Sequence, residues 1–152
     1  RALTYLLTLG AEGIREASQN AVLNANYMKG LLNTVYEIAF DGLCMHEFVI
    51  TLERMKKEKN VSAMDIAKML LDNGIHPPTM YFPLIVQEAL MVEPTETESK
   101  ETLDAAAAVF CEIIKQANDN PQVLHDAPVN TPVRRLDEVS AARNPRLRYQ
   151  FY

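Results

Sequence analysis

Leu103, Ala106, Ala107, Phe110, Ile113, Ile114 and Ala117 recur every three or four residues, whereas His46, Phe48, Ile50 and Leu52 alternate with Glu47, Val49 and Thr51. The first period belongs to a helix burying one stripe, the second to a strand burying one face, so the chain has to pack helices on a sheet. The same two periods place the other elements. Ile14, Ala17, Ala21, Ala25 and Met28 predict a helix over 12–29 that stops at Gly30. Residues 33–40 are rich in strand formers, and Asp41-Gly42 predicts a turn joining them to 45–52 in a hairpin. Ser62 and Asp65 have the spacing of a capping box ahead of Ile66, Met69 and Leu70, and Asn73-Gly74 ends that helix. A proline-rich connector over 75–83 leads to a strand at Ala89-Leu90-Met91-Val92, and Thr95 with Glu98 predicts a second capping box before the last helix. The order is helix, two strands, helix, one or two strands, helix. It describes an α+β fold, a small antiparallel or mixed sheet with helices on one face.

With 152 residues, 48% of them hydrophobic, the chain is long enough to bury one substantial core. No apolar run approaches the roughly 20 residues of a membrane span. The segment Arg1–Leu7 is too short for a signal peptide, with Glu12, Arg15 and Glu16 soon after it, and Arg1 opens in mid-pattern, as in a piece of a longer polypeptide. Cys44 and Cys111 have no C-x-x-C spacing, which excludes a disulfide scaffold and favours a reducing, cytoplasmic setting.

Charge and proline divide the chain in two. Residues 1–133 carry 10 basic and 18 acidic side chains, whereas 134–152 carry five Arg against one Asp and one Glu. Prolines 121, 128, 132 and 145 interrupt the later part. Residues 1–118 are therefore expected to form the folded body and 119–152 an extended basic arm. Arg134 and its neighbours, with Tyr149, Phe151 and Tyr152, superficially suit a single nucleic-acid strand. The body is acidic and the arm lacks lysine, so no nucleic-acid partner is expected; the arginines suit docking on an acidic surface.

Chemistry is hard to find among these residues. His46-Glu47 begins an H-E-x-x-H pattern, but Ile50 stands where the second histidine belongs, and no metal site is expected. Sharing a face with Phe48 and Ile50, His46 reads as a packed core histidine. Both cysteines lie in apolar surroundings and read as inert thiols. The chain has no G-x-S-x-G, G-x-G-x-x-G or G-x-x-x-x-G-K. The acids crowding 88–104 (Glu88, Glu93, Glu96, Glu98, Glu101 and Asp104) fit the positive end of a helix dipole, with a catalytic or docking role as the alternative. His76-Pro77-Pro78-Thr79 is less ordinary: successive prolines fix the backbone and hold His76 and Thr79 on a stiff connector. That serves a site or simply turns a corner, and the residues alone leave both readings open.

Five blocks in order carry a resemblance: Gly10-Ala11-Glu12-Gly13, Asn24-Ala25-Asn26-Tyr27, Met45-His46-Glu47-Phe48-Val49, Gly74 to Pro83, and Val92 to Glu98. With the tail Thr131 to Glu138, they resemble the C-terminal part of subunit 2 of the glycine dehydrogenases (decarboxylating), the P-proteins of the glycine cleavage system. The resemblance implies the small C-terminal domain of a fold-type I pyridoxal phosphate enzyme. In that family a lysine holds the cofactor, glycine loses carbon dioxide, and the aminomethyl group passes to the lipoyl arm of the H-protein. It also implies a subunit 1 partner. None of Lys29, Lys56, Lys57, Lys59, Lys68, Lys100 and Lys115 lies in a segment matching the cofactor-lysine motif. Lys56, Lys57 and Lys59 are expected in a solvated loop, Lys68 and Lys115 on polar helix faces. The chain alone is therefore expected to bind no pyridoxal phosphate and to be inactive. The small domain of such enzymes closes over the cofactor cleft, and by their position, not by any matched motif, His76, Thr79 and then His46 are expected to face it; Arg134 and Arg135 are expected to contact a partner. A rival reading makes the region a subunit-contact and H-protein docking module without part in the chemistry. A severed domain also exposes apolar surface suited to self-association.

Overall fold

The computed structural model describes residues 1–149 and 151; Tyr152, assigned above to the aromatic arm, lies outside the described residues. Its elements are α1 (Ala2–Leu32), β1 (Glu37–Ile38), β2 (Phe48–Thr51), α2 (Glu53–Lys59), α3 (Ala63–Asp72), β3 (Thr79–Met80), β4 (Ala89–Val92), α4 (Lys100–Asp119), α5 (Pro121–Asp126) and α6 (Glu138–Arg143). The four strands form one antiparallel sheet in the order β1-β2-β4-β3. Phe48 pairs with Val92 and Ile50 with Leu90, so these four side chains share the sheet face on which Leu32, Ile66, Leu70, Phe110 and Ile113 pack. The fold is the α+β layer the two periods predict.

Element boundaries differ where packing overrides local signals. Helix α1 continues through Gly30 because Leu32 is fully buried, and that burial outweighs the cost of a helical glycine, about 1 kcal/mol. It also starts before residue 12, across a kink at Gly10, whose φ of 64° and ψ of −174° form a combination essentially reserved for glycine. Ile14, expected on the buried stripe, is exposed; Ala25, Met28 and Leu32 carry the buried end. The strand expected over 33–40 shrinks to Glu37–Ile38, since Val35 and Tyr36 both donate to Leu32 O in the turn that closes α1.

The segment holding Lys56, Lys57 and Lys59 is not a loop but α2. It lacks an apolar stripe, which hid it. A Glu53–Lys57 ion pair, basic residues at its C-terminal end and Asn60 in the left-handed cap support it instead. The Ser62–Asp65 capping box forms as predicted, with Ser62 N donating to Asp65 Oδ2 at 2.8 Å. The second one does not. Thr95 Oγ1 pairs with Thr97 Oγ1, and Ser99 caps α4 by accepting from Thr102 N. Beyond residue 118 the chain stays on the body for a further stretch: α5 packs on α3 and α4, with Leu124 and Ala127 buried. From Pro132 to Tyr149 every residue is exposed. Among the described residues no helix is long and apolar enough to cross a membrane.

Candidate functional site

The register that pairs Phe48 with Val92 brings the residue before β2 beside the residue after β4. Glu47 and Glu93 meet there, and with His46 they place one ligand-type atom each within 4.8 Å of one another. His46 is exposed rather than packed in the core, with Nε2 3.7 Å from Glu47 Oε2. The strand period predicts an inward histidine, but β2 begins only at Phe48, so His46 precedes the pleat and escapes its alternation. The three groups could close on one cation, although all are at least partly exposed, and among the described residues His46 has only the neighbouring carboxylate to orient it.

Two hollows flank this junction. A cleft of about 440 Å³ lies between the proline connector, the Val92–Glu98 turn and the first turns of α4. Met28, Leu103 and Phe110 form its apolar floor, and Thr79, Thr95, Thr102, Glu93 and Glu98 supply polar groups around it. His76 and Thr79 both line it and are both exposed. The second hollow, about 450 Å³, is bounded by the Phe40–Glu47 loop, Phe82, Pro83 and Met91. His46 belongs to that second hollow. The fold thus joins His76 to Thr79, separates His46 from them, and puts Glu93 between the two groups.

Arg134 and Arg135, at the root of the arm, are engaged within the chain. Arg135 Nε donates to Ala127 O at 2.7 Å, and its Nη2 donates to Leu124 O at 2.8 Å and Asp65 Oδ1 at 2.7 Å. Arg134 Nη2 donates to Asp126 O at 2.8 Å. Together they satisfy the carbonyls at the C-terminal end of α5, which a helix otherwise leaves unpaired. Asp72 holds the segment just before them, accepting from Val129 N and Asn130 N. Burial pushes the Asp65 carboxyl up, but hydrogen bonds from Ser62 and the Arg135 guanidinium outweigh it and leave the group below the ordinary carboxylate range.

Pyridoxal phosphate needs an amine for its aldehyde and cations or a helix N-terminus for its phosphate. The lining of the His76 cleft contains no lysine or arginine among the described residues. Lys29 reaches the second hollow, yet its ammonium is bound to Phe40 O and Gly42 O. Lys56, Lys57 and Lys100 are hydrogen-bonded to Asn60, Glu53 and Asp104, and Lys115 is paired with Glu112. These residues do not fit that cofactor by themselves. The sequence marks Glu93 only as one of the crowded acids of 88–104, and the asparagines of α1 not at all as site residues; polar amides in mid-helix beside the buried Ala25 were the available signal.

A curated protein of Treponema denticola called "Probable glycine dehydrogenase (decarboxylating) subunit 2" is 63% identical over 150 residues, 99% of this chain and 31% of its own length. Proteins of the same name from Thermosipho africanus and Listeria welshimeri are 56% and 54% identical, covering 99% of this chain and 32% and 30% of their own lengths. The chain therefore spans about a third of the length of these relatives. The profile described as glycine dehydrogenase, C-terminal domain, matches residues 17–133, the span holding the sheet, the cleft and the helices that floor it, and the chain belongs to that family.

Proposed function

We propose that this chain is the C-terminal domain of a cytoplasmic, pyridoxal phosphate-dependent glycine dehydrogenase that releases carbon dioxide from glycine and delivers the aminomethyl group to a lipoyl H-protein. The observation that carries this reading is the match over residues 17–133 together with high identity to proteins named for that activity. The His76 cleft offers no lysine or arginine and the second hollow only the hydrogen-bonded Lys29, so on this reading the cofactor's lysine and phosphate cradle lie outside these residues. The role left to this domain is to wall the reaction site. His76 and Thr79, on a backbone stiffened by Pro77 and Pro78, present a ring nitrogen and a hydroxyl at an apolar cleft, and His46 presents a second imidazole nearby. Arg134 and Arg135 tie the arm's root to the body and set the direction in which its distal part leaves toward subunit 1.

A second reading, docking of subunit 1 or the H-protein without part in the chemistry, draws on one feature. Leu43, Met45, Leu84 and Ile85 are 92%, 70%, 82% and 81% exposed on the loops beside the second hollow. Apolar groups so exposed on loops suit a protein contact, self-association of the isolated domain included.

The test mixes the isolated chain with pyridoxal phosphate and then borohydride. The cofactor keeps its free spectrum, no stoichiometric label is fixed, and glycine gives no carbon dioxide. The full-length protein with subunit 1 fixes one label per chain and releases carbon dioxide. A stoichiometric label on the isolated chain would falsify the division of labour.

A further inference from the structure

Asn24 and Asn26 lie two residues apart in α1, about 200° around the helix from each other, so they serve opposite flanks. Between them Ala25 is fully buried. On one flank Asn24 Nδ2 donates to Thr95 O at 2.9 Å and to Glu98 O at 3.1 Å, the carbonyls bracketing the turn that follows Glu93. On the other, Asn26 Oδ1 accepts from Cys44 N at 3.0 Å while its Nδ2 donates to Cys44 O at 2.7 Å and to Val22 O at 2.8 Å. Asn26 thus gives Cys44 the two-way exchange that a neighbouring strand would give. One turn further on, Lys29 Nζ holds Phe40 O and Gly42 O of the same loop.

Asparagine is a poor choice for a helix interior because its amide competes with the backbone. Here both amides are spent on loops that have no strand partner of their own. The loops so held carry His46 and Glu47 on one side and Glu98 on the other, with Glu93 just ahead of the Asn24-bound turn. We infer that Asn24 and Asn26 are positioning residues, which fix from a single helix the two loops whose side chains face the reaction site. This rests on the proposed glycine-decarboxylating function and adds the device that sets the spacing of that wall. Helix α1 acts as a yoke: its rigid backbone converts two amide side chains into a fixed distance between the loops.

The hydrogen-bond chemistry differs at the two positions, and that difference supplies the test. Asn24 only donates, so aspartate there removes both bonds and sets a carboxylate against two carbonyls. Aspartate at position 26 likewise loses the donations to Cys44 O and Val22 O and turns an oxygen toward them, but it still accepts from Cys44 N, the one bond that position 24 cannot keep. Carbon dioxide release from glycine is measured on the full-length protein with subunit 1, per folded chain, beside the melting temperature and amide exchange at Cys44. Asn24→Ala and Asn26→Ala are expected to lower kcat/KM by about 10- to 100-fold, as loss of placement does, with both variants folded at the assay temperature. Asn24→Asp falls at or below Asn24→Ala, whereas Asn26→Asp recovers part of the loss. Cys44 amide exchange quickens in Asn26→Ala and not in Asn26→Asp. Turnover within twofold of the unsubstituted protein in both alanine variants overturns the inference. So does loss that merely follows melting, or aspartate equally harmful at both positions. An unsubstituted full-length protein that releases no carbon dioxide overturns the functional reading, and the inference with it.

Discussion

Arg135 reaches back from the exposed arm to Asp65, 2.7 Å away at the first turn of α3, where the carboxylate is only 5% exposed. That carboxylate also accepts from Ser62 N and Ser62 Oγ, so one buried anion caps a helix and anchors the arm. Arg135→Ala strips donors from Asp65, Leu124 O and Ala127 O and is expected to cost roughly 1–3 kcal/mol, the range for acceptors left unpaired. Chemical denaturation checks this. In a double-mutant cycle Asp65→Asn and Arg135→Ala are expected to be non-additive by at least about 0.5 kcal/mol.

The same pair fixes the sign of an acid response. The Asp65 carboxyl titrates below its ordinary range in the folded chain, so it binds a proton more readily when unfolded. Its contribution is complete above the unfolded value, near 4, and is lost as pH falls through the lower folded value. Denaturation midpoints between about pH 5 and pH 2 should therefore fall more steeply in the unsubstituted chain than in Asp65→Asn. Parallel acid limbs would refute the assignment.

Tyr36 supplies a test at the opposite end of the scale. Its hydroxyl donates to Phe110 O at 2.9 Å and its ring meets Phe110 edge to face at 5.7 Å, joining β1's approach to the middle of α4. Burial, with a smaller effect of Cys111, raises the phenol far above its ordinary value. Protonated Tyr36 is favoured by folding, so its contribution is complete below about pH 10 and is lost as pH rises beyond the unfolded value. Tyr36→Phe should cost about 0.5–1.5 kcal/mol at neutral pH and flatten the alkaline limb of stability, read by the same denaturation series.

These residues also show what the sequence revealed and what it hid. The Phe110–Ile113–Ala117 stripe and the Ser62–Asp65 box are local patterns, and both formed as written. The pairing of β1 with β2 was legible because alternation and a turn signal agree. Asp65 as an anchor was not legible, because its partner lies 70 residues away and capping alone explained the residue. Helix α2 was missed because its support is charge rather than an apolar stripe. His46 was misplaced by extending a period two residues beyond the strand that generates it. Of the candidate cleft, the prolines marked His76 and Thr79 as neighbours on one stiff connector, and both line it, whereas the contacts of Glu93, Asn24 and Asn26 are made only by the fold.

Leu124 tests how far the packed body extends. It is fully buried although it follows Pro121, in a stretch whose prolines resemble a linker. Leu124→Ala should cost 2–5 kcal/mol, as for other buried leucines. Removing the residues after 143 should cost well under 1 kcal/mol, since the described residues there are exposed. Comparable losses from both changes would show that the distal arm packs on the body as well.

His76 separates the two meanings of the proline connector. The side chain is exposed at the cleft, so removing it deletes little buried surface, and His76→Ala should shift the melting temperature by no more than a few degrees. If the connector presents the imidazole to the reaction site, turnover of the full-length protein falls by about 10²-fold or more, the range for a lost acid–base or hydrogen-bonding group. His76→Gln, which keeps a donor but not the titration, should bind glycine with little change in KM while kcat stays low. Pro77→Ala isolates the corner: it leaves the imidazole in place and loosens its backbone, so kcat falls less than in His76→Ala while stability falls more. Were the connector only a corner, the order would reverse, with Pro77→Ala the more damaging change by both measures and His76→Ala close to the unsubstituted enzyme.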